Sequence, residues 1–213
     1  MSEWSGSCRL PVAVAPGGLG LVQDFLNTVN VQEYGPDLLA DTERARDWAT
    51  GAVRTWSALR GVDTEPPALG DTDLSKLRAL RDTIAKMVAG EPPGRRGAMS
   101  VAATFALSDT GEVRLEPSGT GWQWLASALW AEIMLGQQEG TWRRVKRCHN
   151  HDCGSTFYDR SKNNSGVWHD VKTCGNVANL RASRARRRER ERAAQDNPLS
   201  PAPAAAAAAP GRN

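Results

Sequence analysis

Three cysteines and one histidine near the end of the chain have the types and spacing of a metal site. Four residues separate Cys148 from Cys153, and four separate His169 from Cys174, so a tight turn can bring each pair to one ion. Three thiolates and one imidazole form a closed tetrahedral ligand set for Zn²⁺. A closed set leaves no open coordination position, and the predicted zinc is therefore structural rather than hydrolytic.

Two further histidines compete for this site. His149 and His151 lie between Cys148 and Cys153, and Cys148 and His151 could also bind the ion as a pair. Cys153 is preferred because thiolate binds zinc well and the following Gly154 suits a zinc knuckle. The remaining alternative is a reduced, metal-free set of cysteines in an ordinary core.

No grouping of residues in the sequence indicates catalysis. All three histidines lie within the cysteine segment, and there is no serine–histidine–aspartate pattern, no phosphate-cradling glycine loop and no HExxH motif. We therefore expect a protein that is not an enzyme and has no catalytic residue.

The cysteine pattern indicates a reducing compartment, and the apolar pattern indicates a protein that does not cross a membrane. Three of the four cysteines are clustered, which suits a metal better than a disulfide framework and leaves Cys8 as a free thiol. The sequence has no run of about 18 apolar residues and no secretion signal at its N-terminus. We expect a cytoplasmic protein without a membrane span.

Charge is distributed unevenly along the chain. Residues 1–140 contain 12 Lys and Arg against 18 Asp and Glu, a net charge of −6, whereas residues 141–213 contain 15 against 6, a net charge of +9. The basic part favours nucleic acid or another polyanion as its partner, and the acidic part does not.

The elements that must position these residues are mainly helical, and the predicted fold class is α+β, mainly α. Apolar residues at helical spacing predict four helices in the front part, and two runs of alternating residues around Asp109–Gly111 predict a β-hairpin. The predicted helices span residues 19–31, 41 to about 59, 73–88 and 122–138, and the predicted strands span 100–108 and 113–115. We assign the neighbouring Trp122, Trp124 and Trp130 to core packing rather than to a ligand cage.

Around the cysteines the predicted order is a knuckle, a hairpin and a helix, as in treble-clef zinc modules. The hairpin is expected to run through Phe157 and Tyr158 and to turn at Asn163–Asn164, with Cys174 at the start of the helix. So short a segment has too small a core to fold alone, and zinc would supply much of its folding free energy.

Composition divides the chain into four predicted segments. Residues 1–18 form a flexible leader, residues 19–140 a helical sensing or dimerisation domain, and residues 141–192 a zinc finger with a basic helix. Residues 193–213 are rich in proline and alanine, cannot bury a core and are expected to be disordered.

An arginine-rich run follows the cysteine cluster directly. On a helix, Arg181, Arg184, Arg188 and Arg192 fall within an arc of about 80°, and such a helix fits the major groove of duplex DNA. The predicted nucleic-acid-binding residues are Arg160, Lys162, Lys172, Asn176, Arg181, Arg184, Arg187, Arg188 and Arg192. The alternatives are a solvated basic tail with non-specific affinity and, for Asn176, a helix cap or a hydrogen bond to a zinc-bound sulfur.

Polar residues interrupt the first apolar helix of the front part. Asp24, Asn27 and Thr28 need partners if they are buried, and the simplest arrangement is a hydrogen-bond network to another helix. A second hypothesis is an effector pocket. Its predicted residues are Asp24, Asn27, Arg78 and Arg81, with the arginines meeting Asp24 or an acidic small molecule.

The last third of the chain resembles the CGNR zinc finger. That family joins a Cys-x4-Cys knuckle to Asp-x-Ser, Arg-Arg-Trp-Cys and Cys-Gly-Asn-Arg motifs. The corresponding stretches here are Cys148–Cys153, Asp159–Ser161, Trp168-His169 and Cys174–Asn176. His169 stands where the family has cysteine, and Gly166, Val167 and Val177 stand where it has arginine.

The front part is similar to the ABATE domain that usually accompanies this finger. The run Asp24–Val29 resembles the opening motif of that domain, and Trp48 stands where a tryptophan is expected. The resemblance covers about residues 19–192 and implies a transcription regulator that binds DNA through its finger.

The sequence thus favours a transcription regulator whose partners are double-stranded DNA and a small-molecule effector or a second copy of the chain. Structural Zn²⁺ is its expected cofactor. A zinc-stabilised protein-interaction module and an RNA-binding protein are the alternatives.

Overall fold

Helices dominate the fold and two short antiparallel hairpins complete it, which confirms the predicted class. The computed structural model describes residues 4–31, 34–92, 100–150 and 152–195, and the chain divides into two compact units, residues 1–175 and 176–213. The helices are α1 (Ser5–Cys8), α2 (Leu19–Leu26), α3 (Thr42–Arg60), α4 (Asp71–Val88), α5 (Gly121–Gln138) and α6 (Asn176–Gln195). The strands are β1 (Ala103–Leu107), β2 (Val113–Pro117), β3 (Val145–Arg147) and β4 (Thr156–Tyr158).

Helix α2 is the centre of the first unit. All of its residues are buried, and it packs against α1, α3, α4 and α5. Its apolar residues Leu21, Val22 and Phe25 have no exposed surface, since helices surround it on several sides. Removal of this apolar surface from water is the main stabilising contribution to this part of the fold.

Local sequence signals set the ends of the longer helices. The Asp41 side chain accepts a hydrogen bond from the backbone N–H of Arg44 at 2.9 Å and caps α3, which begins at Thr42, one residue after the predicted start. Gly61 ends α3 in the left-handed conformation at φ +63°. Helix α4 begins at Asp71, two residues before the predicted start, and the Asp73 carboxylate accepts from the N–H of Gly70.

The prediction that residues 1–18 form a flexible leader is wrong for residues 4–18, which pack against the rest of the first unit. Trp4 is buried against Gly20 of α2, where a side chain would overlap the indole ring. The Ser7 N–H donates to the Asp24 carboxylate at 2.7 Å. Leu10 and Ala15 are buried as well. The leader packs because glycine on α2 leaves room for an indole, a fit that the composition of residues 1–18 alone does not reveal.

Gly18→Ala is expected to destabilise the protein by about 1–3 kcal/mol through overpacking. A methyl group on Gly18 would overlap the carboxylate of Glu132, which is held by the Trp56 indole and Arg60. Urea denaturation followed by circular dichroism measures the loss. Gly70→Ala is the control, because the nearest atom to its methyl group would lie at 3.9 Å. Equal stability of the two variants would contradict the packing argument.

The β1–β2 hairpin confirms the predicted hairpin but presents an apolar face to solvent. Phe105 pairs with Leu115 and Leu107 pairs with Val113, so these four side chains share one face. Phe105 is 74% exposed and Val113 66% exposed. Sequence alternation thus identified the strands correctly, although this face does not belong to the core.

The three neighbouring tryptophans of α5 are partly buried and pack against the main core, as predicted. Helix α6 extends to Gln195, three residues beyond the predicted end of the finger at Arg192, so the first residues of the predicted tail are helical. The rest of that tail, residues 196–213, lies outside the described residues.

Among the helices that are described, none is long and apolar enough to cross a bilayer.

Candidate metal centre and basic helix

Two short strands position the first pair of cysteines. Strand β3 pairs antiparallel with β4, and Cys148 and Cys153 lie in the connection between them. The Cys148 N–H donates to the carbonyl of Ser155, which extends the pairing into the knuckle, and Gly154 has a φ of +67° that favours glycine. The predicted hairpin through Phe157 and Tyr158 is therefore wrong in its second strand. The strand pairs with residues before the knuckle and not with residues after Asn163–Asn164.

Asp159 organises the loop that follows β4. Its buried carboxylate accepts hydrogen bonds from the N–H groups of Ser161 and Gly166, each at 2.8 Å, and from Lys146 Nζ at 2.7 Å. Burial raises the pKa of this carboxyl, but the hydrogen bonds from Lys146 and the loop outweigh burial and lower the pKa below its usual value. This loop, rather than a strand turn at Asn163–Asn164, connects the two ligand pairs.

The second ligand pair follows the loop. A short π-helical turn, Val171–Gly175, carries Cys174 at its end, immediately before α6 begins at Asn176. Gly175 packs against Trp168, and a methyl group there would lie 3.2 Å from the ring. The observed position of Cys174 agrees with the prediction that it lies at the start of a helix.

The four predicted ligands come together in space. One ligand atom from each of Cys148, Cys153, His169 and Cys174 lies within 4.8 Å of the others. Ligands around tetrahedral zinc are separated by about 3.8 Å when both are thiolates, so a small inward shift would complete the site. Nδ1 of His169 lies 3.3 Å from Sγ of Cys153, and its Nε2 is buried without a hydrogen-bond partner among the described residues. The donor set and its geometry fit a zinc ion.

The pKa values of the three clustered thiols shift in different directions. The hydrogen bond with Cys148 lowers the pKa of Cys153, whereas the same hydrogen bond and burial raise the pKa of Cys148. Burial raises the pKa of Cys174. Without metal, one thiolate is therefore stabilised by neighbouring thiols, and metal binding would release the protons that the others retain.

Neighbouring polar groups hold the ligands in place. Nδ2 of Asn150 donates to Sγ of Cys174 at 3.2 Å, and Ser155 Oγ lies 2.9 Å from Sγ of Cys153. Asn150 is not among the residues predicted to bond a sulfur, although its position between Cys148 and Cys153 is the sequence signal that points to it. Such partners orient metal ligands and tune their basicity.

Of the two rival histidines, one lies away from the ligand cluster and the other lies outside the described residues. His149 packs edge-on against Trp168, with ring centroids 5.9 Å apart, and is not part of the ligand cluster. His151 lies outside the described residues.

Asn27 joins the front part to the knuckle. Its side-chain amide accepts from the N–H of Thr156 at 2.8 Å and donates to the carbonyl of Thr156 at 2.9 Å. It also donates to Ser7 Oγ at 3.1 Å. All three residues are buried, so a residue predicted to line an effector pocket instead holds β4, three residues after Cys153.

The other predicted effector residues also have partners within the protein. Asp24 is buried and accepts from the Trp48 indole at 2.8 Å in addition to Ser7. Arg81 forms a bidentate ion pair with Asp37 and donates to Thr28 Oγ1 at 2.8 Å. These contacts agree with the alternative of a hydrogen-bond network between helices. Arg78 is exposed, and its Nε donates to the carbonyl of Leu74.

The predicted nucleic-acid-binding residues fall into two groups. Arg160 donates to the carbonyl of Val14 at 2.9 Å, while Lys162 and Lys172 are exposed. The others lie on α6, a continuous helix, and all of them are exposed: Asn176, Arg181, Arg184, Arg187, Arg188 and Arg192. Alanine and arginine are strong helix formers, and an ion pair joins Arg187 to Glu191 one turn later at 3.3 Å.

Two protein-family models match the chain. Residues 19–151 match the ABATE model, described as "Putative stress-induced transcription regulator", and residues 144–187 match the model of the CGNR zinc finger. These matches confirm the architecture that the motifs suggested, with an overlap at residues 144–151 that contains Cys148. No match to a curated protein is found.

Proposed function

Because this chain belongs to the ABATE family and carries a CGNR zinc finger, we propose that it is a cytoplasmic, non-enzymatic transcription regulator that binds duplex DNA. The observation that carries the proposal is the exposed arginine face of α6, which begins two residues after Cys174. The family description supports a regulator, and the charge of this helix supports a polyanion as its partner.

Zinc has a structural role in this proposal. Cys148, Cys153, His169 and Cys174 would hold the ion, which supplies a cross-link between the knuckle and the turn that precedes α6. The chain itself supplies the contact with DNA. Arginine guanidinium groups bind phosphate oxygens bidentately and can also read guanine edges in the major groove.

Most of these contacts would go to phosphates, and they would position the helix rather than specify a sequence. If three to five phosphates are neutralised, the plot of log K against log salt should have a slope of about −3 to −4.5. A weaker dependence on salt would indicate that fewer arginines touch the duplex.

Replacing Arg181, Arg184 and Arg188 together with alanine is expected to lower duplex DNA affinity at least about tenfold at low salt. If each arginine neutralises one phosphate, the salt slope should also become shallower by about 2.7. Fluorescence anisotropy with a labelled duplex gives both quantities, and elemental analysis should show unchanged zinc content.

The matched control removes three exposed positive charges from the front helices, at Arg54, Lys76 and Lys86. Equal losses of affinity in the two triple variants would show that net charge alone governs binding. An intact chain that binds no duplex at low salt would refute the proposal, and preferential binding of single-stranded RNA in competition would favour an RNA-binding protein.

A further inference from the structure

A groove of about 970 Å³ lies in the first unit between the β1–β2 hairpin and helices α3 and α5. It is separate from the metal centre and from the residues Asp24, Asn27 and Arg81. Its volume is within the range of about 300–1,000 Å³ that is typical of sites for small molecules.

The groove has apolar and aromatic walls. Trp56 and Trp124 line it and contact each other edge to face, with ring centroids 5.8 Å apart. Phe105 and Val113 of the hairpin also line the groove and are among the most exposed large apolar residues described, and Met134 of α5 is exposed as well. Exposed apolar side chains gathered at a concave surface are typical of a binding site rather than of ordinary solvent-facing surface.

The charges in the groove favour a positive ligand. Two of its acids are neutralised, since Glu132 pairs with Arg60 and Glu112 pairs with Arg114. The groove also contains acids without such a partner. Asp63 and Glu116 are both exposed and form no ion pair in the part of the chain that the structure describes.

These features act together on a ligand. Trp56 is buried and supports Trp124, which is only partly buried and can present its ring to a ligand. A tryptophan ring attracts cations as well as apolar groups, and two uncompensated carboxylates repel anions. A sugar or an inorganic ion would leave the apolar walls in contact with water, and a neutral apolar molecule would gain nothing from the carboxylates.

We propose that this groove binds an organic cation with an aromatic or bulky apolar body. The proposal does not depend on whether α6 binds DNA, because it rests on the hairpin and on α3 and α5. A second copy of the chain, covering the exposed face of the hairpin, is the competing occupant.

Two probes of matched shape and opposite charge test the proposal. Tetraphenylphosphonium and tetraphenylborate have nearly the same size and apolar surface, so their difference in affinity reports the charge preference of the groove. Isothermal titration calorimetry with the full chain is expected to show one phosphonium site per chain and at least about tenfold weaker binding of the borate, a difference of about 1.4 kcal/mol.

The double variant Asp63→Asn, Glu116→Gln is expected to reduce phosphonium affinity about tenfold and to reduce the preference over borate. Its control is Asp82→Asn, Glu91→Gln, which removes two exposed acids that do not line the groove and should bind like the wild type. Trp124→Phe is expected to weaken phosphonium binding while thermal denaturation confirms that the variant is folded.

The proposal is overturned if the phosphonium does not bind, if both ions bind equally, or if the control double variant loses as much affinity as the groove variant. It is also overturned if light scattering finds a dimer that Phe105→Ser converts to monomers and only those monomers bind the phosphonium. That result would assign the groove to a second copy of the chain.

Discussion

Cys174→Ser is expected to abolish tight zinc binding and to destabilise the protein by more than about 4 kcal/mol, the range that accompanies loss of a structural metal. Cys174 is the ligand at the end of the π-helical turn, and its sulfur lies in the cluster with Cys148, Cys153 and His169. The connecting loop and the turn have little apolar core of their own, so the ion supplies their cross-link.

The measurements are zinc per chain by elemental analysis and thermal unfolding by circular dichroism. Cys8→Ser is the matched control, because Cys8 is an exposed free cysteine that is not part of the cluster. The control should retain about one zinc per chain, and a strong chelator should lower the melting temperature of the control but not that of Cys174→Ser. Equal zinc contents in the two variants would remove Cys174 from the ligand set.

Asn27→Ala is expected to destabilise the protein by about 2–4 kcal/mol, a large effect for a polar residue. The substitution leaves the N–H of Thr156 without its side-chain partner and leaves the carbonyl of Thr156 with only the longer hydrogen bond from Gln23 Nε2 at 3.4 Å. A buried group left unsatisfied costs about 1–3 kcal/mol. Ser7 loses a hydrogen bond as well.

Urea denaturation measures this loss, and Asn30→Ala provides the control. Asn30 is an exposed asparagine three residues further along the chain, so its replacement should change stability by no more than about 0.5 kcal/mol. Asn27→Asp should also be destabilising, because a carboxylate oxygen would face the Thr156 carbonyl. If Asn27→Ala and Asn30→Ala unfold at the same urea concentration, the link between α2 and β4 contributes little.

The long helices could be predicted from sequence because their signals are local. Apolar residues at helical spacing identified α2, α4 and α5, and Asp41 marked the start of α3 through a hydrogen bond only three residues away. The ligand set could be predicted for a related reason. Thiolate and imidazole are the preferred zinc ligands, and their close spacing restricts which pairs a turn can bring together.

Other features escaped prediction because their partners are distant in sequence. Asn27 and Thr156 are 129 residues apart, and nothing near either residue indicates the other. The packing of Trp4 on Gly20 depends on space left by a missing side chain in α2, and the composition of residues 1–18, which predicts a flexible leader, does not show that space. Strand β4 was correctly placed near Phe157, but its partner β3 lay on the other side of the knuckle.

Composition and spacing are local properties, and they were enough to predict the residue types that bind metal, the long helices and the concentration of positive charge. The structural role of polar residues became visible only in the packed fold, which joins Asn27 to the knuckle and Arg81 to Asp37. It also decided that the apolar face of a hairpin would border an open groove. Burial and pairing depend on what the rest of the chain brings to a residue, and that information appears only when distant segments pack together.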